Sequence, residues 1–195
     1  MLYFRERGFE PAVIPGVTSA LAAPIAAGIP VTQRGAADSF VVCTGVGRGG
    51  TGVRLPGYQR GRTLVVLMGV ARLPAVLDVL LSQDVDAGGK REGAAYPAHL
   101  PIAIVERGTM PDQRVVSSTL RNIAIALESS GEQRPPGMMV IGWSVLSLWA
   151  KGDMTVLDEG AESRDEERVD QWLDGKAWRV TEGLADSWEA LHTWT

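Results

Sequence analysis

Few residues of this chain are suited to chemistry by type and spacing. Gly45-Val46-Gly47-Arg48-Gly49-Gly50 follows an apolar stretch and fits the G-x-G-x-x-G spacing of a dinucleotide loop. That chemistry needs a helix N-terminus directly afterwards, because free amides at the helix end take the pyrophosphate. Here the chain runs on through Thr51-Gly52-Val53-Arg54-Leu55-Pro56-Gly57, without helical spacing, and no strand–helix–strand unit comes before it. The run therefore reads as a loop that brings Arg48 and Arg54 near an anionic ligand, a lid on the substrate side. Cys43 is the only cysteine, which excludes an intramolecular disulfide and a Cys-based zinc site. Its neighbours Phe40, Val41 and Val42 make it a small core residue on a strand. A catalytic thiol would need a histidine, and neither His99 nor His192 has a motif around it. Thr18 and Ser19 are better placed. They follow Pro15-Gly16-Val17 and open a run of small residues, so their hydroxyls and free amides stand at a helix start. For Thr18 a plain helix cap is the alternative.

The elements that must position these residues alternate between strand and helix patterns, which predicts an α/β layer architecture with a mixed sheet of about five strands flanked by helices. Val13-Ile14 reads as a short strand, and the helix from Ala20 to Ala27 stops at Gly28-Ile29-Pro30. Further strands are expected over Phe40 to Thr44, Thr63 to Met68 and Pro101 to Val105, with a short element at Val115-Val116. Pro74 suits the first turn of a helix whose apolar face is Val76, Leu77, Leu80 and Leu81. Ser82 to His99 reads as a loop and Leu120 to Leu127 as a helix. Met138 to Ile141 would be the final buried strand.

Residues 1–150 form the expected body and residues 151–195 an acidic tail. The net charge of −4 divides unevenly, with 12 acidic and 5 basic residues in the tail and 11 acidic and 14 basic in the body. A slightly basic body favours an anionic ligand. Its cations are not interleaved with aromatics as a nucleic-acid platform requires, so no nucleic-acid partner is expected. No apolar run is long enough to cross a bilayer and no signal peptide is evident, which predicts a soluble, cytoplasmic protein without a membrane partner. In the tail, Ser163 before Asp165-Glu166-Glu167 starts a helix that Gly175 stops, with Val169, Trp172 and Leu173 on its apolar face. Leu184 to Trp194 reads as another short helix, with Trp188, Leu191 and Trp194 on one side. Four of the six tryptophans lie in the tail, so it is expected to dock on the body or on a partner subunit.

Four ordered segments resemble the second half of the tetrapyrrole methylase family. They are Val13-Ile14-Pro15-Gly16-Val17-Thr18-Ser19-Ala20 with Gly28-Ile29-Pro30-Val31-Thr32-Gln33-Arg34-Gly35; Thr63 to Val70; Val105-Glu106-Arg107-Gly108-Thr109 with Gln113-Arg114-Val115-Val116; and Pro135 to Gly142. Within the family, the Glu106 to Arg114 and Gly28 to Arg34 stretches point to the uroporphyrinogen-III C-methyltransferases. The resemblance implies the carboxy-terminal subdomain of that fold plus a helical tail. It also implies transfer of methyl groups from S-adenosyl-L-methionine to two carbons of uroporphyrinogen III, giving precorrin-2 for sirohaem or cobalamin. Carried over by position, Thr18, Ser19, Met68 and Gly108 would bind the cofactor, with Gly137 in a lesser role. Gly108 would remove the Cβ that blocks a bound nucleoside. Met68 as core filler and Gly108 as a turn glycine are the plainer readings. Arg34 pairs with a substrate carboxylate or is a surface residue, and both readings stand.

Two departures from the family pattern matter. Arg107 stands where the family usually has Asn, which alters polarity beside the cofactor. Nothing here matches the family's first domain, so the chain is expected to be a fragment, a homodimer in intact form, with little activity alone. Another precorrin methyltransferase, an inactive pseudo-enzyme and a partner-binding module are the competing readings. For the site itself, Thr18, Met68 and Gly108 are expected along one edge of the sheet, since all three follow strand ends.

Overall fold

In a computed structural model, which describes residues 1–84 and 87–184, the elements follow one another as helix α1 (Leu2–Arg5), helix α2 (Ser19–Ala26), strands β1 (Ser39–Thr44), β2 (Leu55–Pro56) and β3 (Arg62–Leu67), helix α3 (Leu73–Leu81), strands β4 (Arg91–Glu92), β5 (Pro101–Glu106) and β6 (Arg114–Thr119), helix α4 (Ile123–Ser129), strand β7 (Gly137–Ile141), helices α5 (Ser144–Ser147) and α6 (Asp165–Leu173), and strand β8 (Trp178–Glu182). The main sheet is mixed and six-stranded, in the order β1-β3-β7-β5-β6-β8, and β2 and β4 form a separate two-stranded ribbon. Only β1 and β3 run parallel within the main sheet; each later pairing is antiparallel.

The sequence explains the centre well. Leu64-Val65-Val66, Ile102-Ala103-Ile104 and Met139-Val140-Ile141 are continuous β-prone apolar runs, as strands covered on both faces require. All nine residues are fully buried. In α3, Val76, Leu77 and Leu80 turn inward, with Pro74 in the first turn.

Four expectations need correction. Val13-Ile14 forms no strand; the side chains are 66% and 90% exposed, and a strand without a ladder partner or a covered face has little to hold it. Val115-Val116 belongs to a full six-residue strand that is buried throughout. The last strand is not Met138 to Ile141, because β8 adds antiparallel to β6 and gives the sheet its sixth strand. Within the stretch read as a loop, Arg91–Glu92 pairs with Leu55–Pro56.

Helix α6 carries Val169, Trp172 and Leu173 inward. Asp165 accepts both guanidinium nitrogens of Arg60 at 2.7 Å and faces Arg168 at 3.1 Å, while Arg168 also reaches Asp153 at 2.8 Å. His99 lies 3.7 Å from Asp165. The expected helix over Leu184 to Trp194, with Trp188, Leu191 and Trp194, lies outside the described residues except for Leu184. His192 lies outside them too.

Candidate functional site

Three chain reversals shape the site. Strand β3 ends at Leu67, and the next residue, Met68, takes the left-handed conformation (φ 56°) and leaves 65% of its surface exposed. Beyond it the chain passes Gly45 so closely that a Cβ on Gly45 would lie 2.6 Å from the Gly69 Cα. Gly45 thus serves a backbone crossing between the ends of β1 and β3, with its amide donating to the Leu67 carbonyl at 2.7 Å. The rest of the glycine-rich run makes a short 3₁₀ turn and leads to β2, with no α-helix following.

The second reversal follows β5. Arg107 (φ 50°) and Thr109 (φ 71°) are both left-handed and flank Gly108. Such geometry costs an ordinary L-residue roughly 1 kcal/mol or more, so neighbours must hold it. They do. The Arg107 amide donates to the Pro136 carbonyl at 2.8 Å, and the Thr109 amide to Gln113 Oε1 at 2.9 Å. Gln113 Nε2 then donates to the Ala26 carbonyl at the end of α2, at 3.3 Å. Arg107 also pairs with Asp112 at the surface and holds that carboxyl below its usual range. The Asn usual in the family would tolerate this left-handed backbone more easily than Arg.

The third reversal brings in Pro136 and Gly137. Arg114 Nε donates to Glu106 Oε2 at 2.6 Å, and both side chains are 1% exposed. The guanidinium also donates to the Ser130 and Glu132 carbonyls, and Glu106 Oε1 accepts from the Arg134 amide at 2.8 Å. This buried pair fastens the segment entering β7. Read from sequence, Glu106, Gln113 and Arg114 served only to mark the resemblance; the structure makes them the fasteners of the site. A single charged residue at one end of each of two neighbouring strands, Glu106 and Arg114, was the available signal.

Together these reversals enclose a cavity of about 270 Å³ lined by Ser19, Ala23, Met68, Gly108, Gly137 and Met138, among others. Ser19, Met68 and Gly108 are therefore side by side at the ends of the central strands β3, β5 and β7, not along an edge strand. Thr18 is next to them but does not line the cavity. It caps α2, its Oγ1 accepting from the Ala20 amide at 3.3 Å. Gly108 is needed for a reason other than ligand clearance. A Cβ there would stand 3.0 Å from the Ala23 Cα and nearer still to its Cβ, so the glycine lets α2 pack against the turn. Arg34 is exposed on a turn closed by the Gln33–Ala37 bridge. Cys43 is half-buried in β1, and burial pushes its thiol up to about 11, which suits an inert strand residue.

The cavity fits a nucleoside in character. Its walls are mostly apolar and small, Ser19 offers a hydroxyl, and no charged side chain lines it. No helix among the described residues is long and apolar enough to cross a membrane.

Known proteins give this geometry its context. The chain is 40% identical over 147 residues to the probable uroporphyrinogen-III C-methyltransferase of Schizosaccharomyces pombe, covering 75% of this chain and 27% of that protein. It is 32% identical over 148 residues to the uroporphyrinogen-III C-methyltransferase of Methanobacterium ivanovii, covering 75% and 55% respectively. The crystal structure of uroporphyrin-III C-methyl transferase from Thermus thermophilus complexed with S-adenyl homocysteine superposes with a TM-score of 0.56 at 33% identity, over 74% of this chain and 57% of that one. The chain thus spans between about a quarter and just over half of the length of these relatives. Residues 1–124, which include all four residues expected at the cofactor, match the family described as Tetrapyrrole (Corrin/Porphyrin) Methylases, and to that family this chain belongs.

Proposed function

We propose that the cavity between α2, Met68 and the Gly108 turn holds the adenosine part of S-adenosyl-L-methionine, and that the chain takes part in methylating uroporphyrinogen III to precorrin-2. The observation that carries this is the meeting of Ser19, Met68 and Gly108 in one apolar slot. The bound cofactor would supply a methyl group on a positively charged sulfur, open to in-line attack by a nucleophilic carbon. This chain's part is to bind and orient. Met68 and Ala23 would sandwich the base, and Ser19 would donate to the ribose or to a base nitrogen from the start of α2. Thr18 would act through its cap, which sets the position of Ser19.

Reaction by displacement depends on orientation and a dry site. The slot has a wall on one side, and Met68 opposite is largely open to water. Turnover is therefore proposed to need a second wall from another polypeptide segment, in a cytoplasmic homodimer of the complete enzyme. Residues 1–150 would carry the methylase portion and residues 151–195 an appended tail.

Calorimetric titration of the chain with S-adenosylhomocysteine tests the reading. Saturable binding is expected, weakened about tenfold by Met68→Ala, since an apolar side chain of that size contributes on the order of 1.5 kcal/mol when a ligand covers it. Met68 is exposed, so the substitution leaves the fold intact. No binding, or equal binding by the variant, would overturn the site. Precorrin-2 formation from uroporphyrinogen III, with and without a chain supplying the second wall, then separates an enzyme from a module that binds without turnover.

A further inference from the structure

A second cavity, of about 250 Å³, lies beyond the carboxy-terminal end of α2, against the β6–β8 edge of the sheet. Ser117 on β6 faces Arg179 on β8, and Val115 faces Thr181, as directly opposed strand partners. Opposed residues project to the same side of a sheet, so the four form one patch. Val145, Leu148 and Ile29 add an apolar wall, and no acidic side chain lines the cavity.

The polar groups of that patch are poorly served. Arg179 Nη1 donates to the Trp172 carbonyl at 2.7 Å, but Nε is buried without a partner. The guanidinium carbon lies over Trp149, 3.4 Å from the ring centroid, and the group pairs with no carboxylate among the described residues. Burial lowers its proton affinity, with desolvation the only cause. Ser117 is 5% exposed overall and belongs to the cavity lining, and its hydroxyl makes no hydrogen bond among the described residues. A half-buried cation without a counter-charge is unfavourable, and the Ser117 hydroxyl beside it has hydrogen-bonding capacity unused. One anion with two acceptor oxygens would satisfy both. The nearby Ala26 carbonyl at the end of α2 would oppose it least, because Gln113 already donates to that oxygen.

We infer that this cavity binds a small carboxylate with an apolar body, its oxygens held by the Arg179 guanidinium and the Ser117 hydroxyl. Val115, Val145 and Leu148 accept the apolar part. Arg179 Nη2 makes no hydrogen bond among the described residues, so it can give a charge-assisted contact to one carboxylate oxygen while the Ser117 hydroxyl donates to the other, and the Trp149 ring beneath the guanidinium holds it in place. The site is separate from the adenosine slot, with α2 between them, and does not depend on that reading.

The probe is benzoate, titrated by calorimetry into the full chain, with benzamide as its uncharged counterpart and acetate as the head group without a body. Benzoate is expected to saturate and to bind about tenfold or more tighter than benzamide, the usual margin of a charge-assisted bond over a neutral one. Acetate is expected to bind weakest. Arg179→Met keeps the aliphatic stem over Trp149 and should abolish the preference for benzoate; Ser117→Ala should reduce it about threefold. Equal binding of benzoate and benzamide by the parent chain, or no saturation by either, would overturn the inference without recourse to any variant. Benzoate binding that survives Arg179→Met unchanged would overturn it as well.

Discussion

The two ends of the described chain contrast sharply. Residues 1–18 include Leu2, Tyr3, Phe4, Phe9, Val13, Ile14 and Val17, yet all seven side chains are exposed. Residues 151–184 are acidic, yet Asp165, Arg168, Val169, Trp172 and Leu173 are buried. Apolar content therefore did not decide which end docks. The later segment finds an open strand edge at β6 and a partly buried Arg60 awaiting a carboxylate. The earlier one finds neither among the described residues. Its one ion pair, Arg5 with Glu10, is local and exposed.

Asp165→Ala puts the largest strain on this contrast. It leaves Arg60 and Arg168, both mostly buried, without their shared carboxylate, and should cost about 3–5 kcal/mol in urea unfolding. A loss under about 1 kcal/mol would mean that α6 is held by its apolar face alone. Arg5→Ala, at the other end, should stay within about 0.5 kcal/mol of the parent. Next comes the boundary between the loosely packed end and the body. Thr18→Ala removes the cap of α2 and should cost about 1 kcal/mol; an unchanged midpoint would move that boundary past the helix start. Smallest is the double substitution Ile14→Ser with Val17→Ser, expected within about 0.5 kcal/mol of the parent because both residues already face water. Limited proteolysis should cut between residues 9 and 18 well before it cuts α6 or β8. Early cleavage in α6 would reverse the ranking.

What the sequence made legible follows from which interactions are local. Helix α3 could be read because Pro74 and the Val76-Leu77-Leu80 spacing lie within nine residues, and α6 because its acidic start and apolar stripe are contiguous. Strands β3, β5 and β7 could be read because double burial leaves unbroken apolar runs. Strand β8 could not. Trp178-Arg179-Val180-Thr181-Glu182 has no apolar run, and what makes it a strand is the free edge of β6, some sixty residues earlier in the chain. Val13-Ile14 failed the opposite way, with suitable residues that pair with no strand among the described residues.

At the site, the family resemblance pointed to Thr18, Ser19, Met68 and Gly108, of which the last three line one cavity and Thr18 does not. The left-handed backbone at Met68, Arg107 and Thr109 was not legible, since none is a residue type that favours it. Nor was the function of Gly108 as clearance for Ala23, which depends on α2 arriving from more than eighty residues away.

The sheet has one more edge. Among the described residues, strand β1 pairs with β3 alone, and its six residues, Ser39-Phe40-Val41-Val42-Cys43-Thr44, include no charge and no proline. Phe40 and Val42 are 38% and 42% exposed. A neutral β-prone edge offers its spare amides and carbonyls to any extended segment that approaches, including the same strand of another copy. Such adhesion grows with protein concentration and needs no unfolding, so β1 is a route by which concentrated stocks would age whatever the strength of the core.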